Sequence, residues 1–506
     1  MIPEDILALL FTKRQVQKIK VIYLLKEKQV SLELLQATLQ TNVRNTKLLM
    51  AEWLAEINAL LDQAQATIRL TFANGLYFFE GEAIEAQLAS LMEEVTYQFA
   101  KESPVYTLLL WTLEKRQFYM ADVVQLLAYS ESHSYKIVDQ LVQLLNHLAL
   151  DIRLVKETGT RYTLLGEEGT LRWLHYFSIL RVFRREKWPF HNIRRAEMVS
   201  MQKYFNSATY TKLSLNNQTR LNYISAIYEN ALKTNHRLAP LPPEVLEIGN
   251  LATAEGKSLY LAFFLENQLH PSADFESELI HLAFLTNYQI QELRSKTEKI
   301  TIGREICQLK ENRIMQAILA FAQQLQAQFG SLPEEEYYLM IYGLCGRVVT
   351  IHYLNLAQFT TFQAIPTFRG DLEEQLGELI EQTFADYRAF ASFASLKSHL
   401  LQYVISFIAF QWPLQQRIYL EFYYKPEYKS ILEKFLHKVY DAQLIQVVDD
   451  YRLADIIVSD VRPLETDQPY FYMYNIFNRQ QWHELGRFIN QRVNQQLVTE
   501  AKLTDW

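Results

Sequence analysis

Cysteine is almost absent from this chain: Cys307 and Cys345 are the two in 506 residues, both in apolar helical surroundings and without CxxC or Cys/His spacing. That excludes a disulfide framework and a structural zinc site. Glycine and proline are scarce as well, at 14 and 13, against 49% apolar residues, so the chain reads as compact and helix-rich, with nothing disordered. No segment reaches the roughly 18 unbroken apolar residues of a membrane span. Glu4 and Asp5 precede the short N-terminal apolar run, the wrong order for a signal peptide, so a cytoplasmic protein with no membrane partner is expected. GxSxG, Walker, GxGxxG, HExxH and paired-carboxylate signatures are missing, and the eleven histidines show no metal-ligand spacing. The sequence points away from an enzyme, a metal and a cofactor.

Excess positive charge is lacking overall, since the formal net charge is −7, and any nucleic-acid footprint must be local. Between Lys13 and Lys47 eight basic residues face two acidic ones, a surplus of six. From Lys101 to Arg161 seven basic residues face seven acidic ones. By charge alone the earlier stretch holds phosphate more strongly.

What is present is an internal repeat. Residues 31–81 and 120–166 each read as a helix, a short polar turn, a second helix and a hairpin. Ser31-Leu32-Glu33-Leu34-Leu35 matches Ala121-Asp122-Val123-Val124, and the turn at Thr41-Asn42 matches that at Ser130. Asn74-Gly75, a strong two-residue hairpin signal, matches the turn near Gly159. Helix positions correspond at an offset of 88 and hairpin positions at 84, which implies a shorter connection between helix and hairpin in the second copy. Two tandem winged helix-turn-helix units are the economical reading, and they point at duplex DNA.

Helical periodicity runs almost unbroken from about residue 169 to 395, with breaks at Trp188-Pro189, Leu238–Pro243, His270-Pro271, Gly330–Pro333 and Pro366. This suits two bundles with a seam near Lys299–Ile306. After Gln411-Trp412-Pro413 strands alternate with helices, as in a small α/β domain with a mostly parallel sheet. The expected architecture is multidomain and mainly α: winged helix-turn-helix units over 1–82 and 83–168, helical domains over 169–298 and 299–398, and an α/β domain over 399–506.

The second helix of a helix-turn-helix meets base edges with its N-terminal residues, where Arg suits guanine and Asn suits adenine. In the first copy these are Asn42, Arg44, Asn45, Thr46 and Lys47, with Leu49, Met50, Trp53 and Ile57 at core spacing. The second offers Ser132, His133, Ser134, Tyr135 and Lys136, rich in hydroxyls and poor in charge, a set for phosphate positioning. Arg69, Lys156 and Arg161 on the hairpins could reach phosphate or a minor groove, or simply be solvated. Arg181, Arg184, Arg185, Lys187, Arg194 and Arg195 form a further basic cluster, either an extension of the DNA track or a solvated helix face. His191, His236, His281 and His352 fall in the bundle region, where an imidazole nitrogen can accept a phosphoryl group and add about −1.5 to −2 charges.

This layout resembles the Mga family of stand-alone virulence regulators of Gram-positive bacteria, typified by the anthrax toxin activator, over nearly the whole chain. Asn42-Val43-Arg44-Asn45-Thr46 with Ile68-Arg69-Leu70 looks like the family's N-terminal helix-turn-helix, and Ser130–Leu145 like its second. The resemblance implies a transcriptional regulator, an activator, whose helical domains are phosphotransferase-system regulation domains and whose C-terminal domain is enzyme-IIB-like. It further implies promoter DNA, a second copy of the chain and a phosphotransferase-system phosphocarrier as partners. His191, in Phe190-His191-Asn192-Ile193, and His281, in Leu279-Ile280-His281-Leu282, are the positions matched to phosphorylated histidines. A phosphate-carrying IIB domain has a cysteine after its first strand; here Tyr423-Tyr424-Lys425-Pro426 follows, which implies pairing of copies rather than phosphoryl relay. The competing readings are an RNA-binding antiterminator with sugar-responsive domains, which would start with a small β-rich module, and a phosphotransferase component, which needs the missing cysteine.

Overall fold

Capping and turn chemistry set both N-terminal repeats. A computed structural model describes residues 8–27, 29–180, 182–183, 187–195, 207–252, 273–359, 370–408, 416–440, 444–462 and 468–499. The first repeat runs α1 (Lys13–Glu27), β1 (Val30–Ser31), α2 (Leu32–Leu39), α3 (Val43–Gln63), β2 (Arg69–Ala73) and β3 (Leu76–Glu80). Ser31 caps α2 by accepting from the Leu34 amide at 3.3 Å, and α2 stops where Gln40 turns left-handed at φ 52°. Asn42 then caps α3, its Oδ1 accepting from the Asn45 amide at 2.9 Å. Met50, Trp53, Ile57 and Leu61 recur on one face of α3 and are buried against Ile22, Leu35, Leu39, Leu70 and Phe79. Asn74 and Gly75 both take positive φ, 53° and 81°, the two-residue turn that matches strand twist and brings Ala73 opposite Leu76. Removing the α3 cap with Asn42→Ala is expected to cost about 1 kcal/mol, or roughly fivefold faster hydrogen exchange at the Asn45 amide.

The second repeat follows through α4 (Ile84–Glu102) and α5 (Pro104–Lys115), and continues as β4 (Gln117–Tyr119), α6 (Met120–Leu127), α7 (Glu131–His147), β5 (Arg153–Lys156) and β6 (Arg161–Leu165). Ala128 ends α6 at φ 54°, as Gln40 ends α2, and Ser130 caps α7. Both repeats close a three-stranded antiparallel sheet of the same order, β1-β3-β2 and β4-β6-β5. They differ in one place. The connections 64–68 and 148–152 match in length, whereas α3 has 21 residues and α7 has 17. The shortening expected in the connection is therefore one turn of the second helix, and losing a whole turn keeps the buried face in register.

The chain forms two compact units, Met1–Arg294 with Leu354–Phe359, and Ser295–Tyr353 with Thr360–Trp506. The first continues as α8 (Glu168–Leu180), α9 (Ser207–Lys212), α10 (Leu215–Lys233), α11 (Pro243–Ala252) and α12 (Ala273–Gln289). Trp173 of α8 is fully buried and donates from Nε1 to the Leu354 carbonyl at 2.6 Å. The second unit holds α13 (Lys296–Ile306), α14 (Arg313–Phe329), α15 (Glu334–Arg347), a π turn over Val348–Tyr353, α16 (Gly370–Thr383) and α17 (Phe393–Ile408). Gly303 lets α13 lie directly on α15, since a Cβ there would stand 2.1 Å from the Tyr338 carbonyl oxygen.

The same unit ends in β7 (Gln416–Glu421), α18 (Glu427–Val439), β8 (Ile445–Val448), β9 (Ile456–Ser459), β10 (Tyr470–Tyr472) and α19 (Arg479–Thr499). Its sheet has the order β10-β9-β7-β8, and every pairing is parallel. Ile418, Leu420, Ile456 and Val458 fill its core with Leu432 and Leu436 of α18 and Leu485 and Ile489 of α19. Among the described residues no helix is long and apolar enough to cross a membrane, and no cluster of His, Cys, Asp and Glu could hold a metal.

Candidate nucleic-acid interface

Helix α3 presents a bare N-terminal face. Asn42, Arg44, Asn45 and Lys47 are exposed, and Arg44 and Lys47 have no ion-pair partner among the described residues. With Asn42 Oδ1 committed to the cap, only its amide nitrogen remains to meet a base or phosphate. Thr46 departs from the sequence expectation. It is fully buried, its hydroxyl donating to the Asn42 carbonyl at 3.0 Å and lying 2.7 Å from the Thr41 hydroxyl, so it locks the turn and meets no groove. Arg69 stands at the hairpin root, where β2 pairs with Glu80, and its guanidinium is bound to Asp62. It reaches phosphate only by giving up Asp62, an exposed pair of small worth.

The surplus of six counted in the sequence shrinks on folding. Arg14 and Lys18 of α1 pair with Glu52 and Glu56 of α3, two acidic residues just past the window counted. Lys18 is buried in that contact. The pairs hold α1 along α3, and Lys13, Lys26, Arg44 and Lys47 remain as exposed cations. Lys28 lies outside the described residues.

On α7, Ser132, His133 and Lys136 are exposed, and His133 stacks edge-on against Tyr129 with centroids 4.7 Å apart. Ser134, the counterpart of Thr46, is likewise fully buried and faces the core. Tyr135 is half-buried, with Lys156 Nζ of the hairpin 5.3 Å from its ring centroid, which joins wing and helix on one surface. Arg161 is engaged by surface neighbours, donating to Gln117 and pairing with Glu157 at 3.3 Å. In the further basic cluster Arg181, Arg184 and Arg185 lie outside the described residues. Lys187 pairs with Glu94 at 3.3 Å and lies 3.2 Å from the Tyr97 ring centroid, and Arg194 is exposed.

The four bundle histidines occupy different environments. His191 is exposed, and its Nδ1 lies 3.0 Å from the buried Glu114 carboxylate, which also accepts from the backbone amides of His191 and Asn192. That hydrogen bond raises the His191 pKa against the opposing effects of burial and Lys115. His236 is half-exposed, its pKa lowered by burial and by Arg116. His281 is 2% exposed; its Nδ1 meets the Tyr228 hydroxyl, and Nε2 points at Gly169 without a partner among the described residues. Burial, with Arg172 beside it, holds its pKa down to about 3, so it stays neutral and shut away from a phosphocarrier in this conformation. His352, in the second unit, hydrogen-bonds Ser392 Oγ at 2.7 Å inside a cage of Tyr353, Tyr387 and Phe390. Burial lowers its pKa.

A buried ionic chain joins the second repeat to the helices that follow, and sequence reading misses it. Arg116, between α5 and β4, donates to Glu168 at 3.0 Å. Arg172, fully buried, donates from Nε to Glu168 at 3.0 Å and from both terminal nitrogens to Glu278, at 2.5 and 2.9 Å, and reaches the His236 carbonyl at 3.0 Å. The neighbouring carboxylates push its pKa up despite burial. The one signal in the sequence is an arginine amid the core run Leu171-Arg172-Trp173-Leu174.

Residues 88–178 match the family model described as the Mga helix-turn-helix domain. The match opens in α4, takes in the second repeat with its wing, and closes in α8. No match to a curated protein was found. The chain thus carries an Mga helix-turn-helix domain, which supports a likeness to the Mga-like DNA-binding transcriptional regulators.

Proposed function

We propose that this protein is a transcriptional activator that binds promoter duplexes through both α3 and α7, pairs with a second copy through its C-terminal domain, and is tuned by histidine phosphorylation from the sugar phosphotransferase system. The observation that carries the DNA reading is the duplicated arrangement itself: two capped helices with the same sheet order, each offering an exposed polar or basic N-terminal face beside a hairpin. Gel shifts of the full chain with duplex DNA and with hairpin RNA test it. Binding to the duplex supports the reading, and preference for the RNA hairpin overturns it.

Pairing through the enzyme-IIB-like domain is supported by the loop after β7. The backbone amides of Tyr423, Tyr424 and Lys425 donate to the Asp460 carboxylate at 2.7, 2.9 and 3.2 Å, so the amides that would cradle a phosphoryl group are already engaged. Around them Tyr423, Tyr424 and Phe477 are more than 70% exposed. Such an aromatic surface suits an interface better than solvent.

For phosphorylation, His191 has the access that His281 lacks. With Nδ1–H directed at Glu114, the Nε2 lone pair is free to form the new N–P bond as the phosphocarrier's own N–P bond breaks. Because Glu114 raises the His191 pKa, the neutral nucleophile is gained only as pH rises through that raised value. Glu114→Gln is therefore expected to move the midpoint of phosphotransfer to lower pH, and His191→Ala to abolish labelling at this position, both measured with labelled phosphocarrier. His236, His281 and His352 are the comparison sites. Labelling that survives in His191→Ala and disappears in His281→Ala overturns the assignment.

A further inference from the structure

The two repeats share one backbone plan, so each is a control for what the other's surface needs. On α3 the outward stripe reads Arg44, Leu48, Ala51 and Ala55, spaced i, i+4, i+7 and i+11, and all four are exposed. At the same positions α7 carries Ser132, Lys136, Asp139 and Gln143, also exposed and all polar. Leu48 is 70% exposed and Val43, at the first turn of α3, 48%; their counterparts are Lys136 and Glu131. The contrast extends to the wing, where Phe72 is 51% exposed at the place Lys156 takes in the second repeat.

Since α7 folds with charged residues at these positions, packing does not require Val43 or Leu48 to be apolar. What they share is a location beside Arg44 and Lys47, cations without an ion-pair partner among the described residues, which draw a polyanion onto this face and no apolar protein surface. On a duplex, the apolar feature that an aliphatic side chain in the major groove can meet is the thymine C5-methyl.

We propose that α3 selects thymine-containing steps through their C5-methyl groups, with Leu48 and Val43 as the contacting side chains, while α7 serves mainly to position the backbone. This specificity rests on the reading of the chain as a duplex binder. The two modules then divide the work: one supplies discrimination between base pairs and the other sets register.

The test uses the full chain and a short duplex enriched by it from a random pool, synthesised once with thymine and once with deoxyuridine, which pairs identically and lacks the methyl. The expected result is a loss of about fourfold in affinity for each contacted methyl removed. The variant Val43→Ser/Leu48→Gln is expected to bind both duplexes equally, near the wild-type affinity for the deoxyuridine form. Equal binding of both duplexes by the wild type overturns the proposal while leaving duplex binding intact. Discrimination that persists in the variant overturns it too, because duplex shape would then be the cause. Failure to enrich or bind any duplex removes the underlying DNA reading as well, and a changed oligomeric state of the variant with unchanged duplex discrimination would assign this face to a second copy of the chain.

Discussion

Arg172→Ala is expected to destabilise the N-terminal unit by about 3–5 kcal/mol, the cost of leaving buried charge without its partner. Arg172 is fully buried and satisfies two carboxylates, Glu278 through a two-pronged contact and Glu168 through Nε. Glu278 is itself fully buried, also accepting from the Leu238 amide at 2.9 Å, and water cannot replace the guanidinium there. Alanine would also leave a cavity, and the Tyr228 ring, 4.4 Å from the guanidinium carbon, would lose its cationic neighbour. Urea unfolding of the full chain, followed at the buried Trp173 one residue away, reads the loss. Replacing the two-pronged pair together, as Arg172→Met/Glu278→Gln, is expected to recover most of it, because the penalty lies in the uncompensated Glu278, while Glu168 keeps Arg116 as its partner. A single variant within 1 kcal/mol of wild type would show that the network is solvated and that this account of it is wrong.

The position of this network decides what its loss should do to function. Glu168 is the third residue after β6, the last strand of the second wing, and Arg116 immediately precedes β4, the first. Both ends of the second repeat's sheet are thus tied by charge to α8 and, through Arg172, to α12. His281 lies on α12 three residues from Glu278, and His236 lends its carbonyl to Arg172. The surroundings of His236 and His281 and the footing of the wing thus share one set of side chains, the physical connection that the proposed regulation of DNA binding would use.

Much of the N-terminal plan is legible in the sequence because its determinants are local. Asn42 and Ser130 act as caps one residue before their helices, and Asn74-Gly75 forms a turn whose φ values need no distant contact. The parallel C-terminal sheet can be read for a related reason, since strands that alternate with helices leave little other topology. Side-chain destinations are less legible. Thr46 and Ser134 lie within the polar N-terminal run of each helix, which hides that they extend the buried spacing of Met50, Trp53 and Ile57 and of Val138, Leu141 and Leu145. The Arg14–Glu52 and Lys18–Glu56 pairs cancel charge that a count along the chain leaves standing. Arg172 and Glu278 are 106 residues apart, beyond the reach of any periodicity. Leu48 is the instructive case, since it falls outside the core spacing of Leu49, Met50, Trp53 and Ile57, and only the fold shows how far it is exposed.

Neutralising the first reader face with Arg44→Ala/Lys47→Ala is expected to weaken duplex binding about a hundredfold at physiological salt and to lower the slope of log K against log salt by about 1 to 2. Both side chains are exposed and without an ion-pair partner among the described residues, so stability should change little. That separates this variant from Asn42→Ala, which acts through the helix. Magnitude follows from geometry: a guanidinium near the start of the helix can grip a guanine edge in two bonds, whereas the ammonium one turn on meets backbone phosphate as a point charge. Arg44 should therefore carry more of the sequence preference and Lys47 more of the salt dependence. A comparison substitution in the second helix, Ser132→Ala/Lys136→Ala, removes one charge and should lower the slope by about half as much. Titrations of the full chain across a salt series decide between the modules. An unchanged slope in Arg44→Ala/Lys47→Ala, with a large drop in Ser132→Ala/Lys136→Ala, would transfer the main phosphate contact to α7. The exposed Leu48 face would then have to find its partner elsewhere.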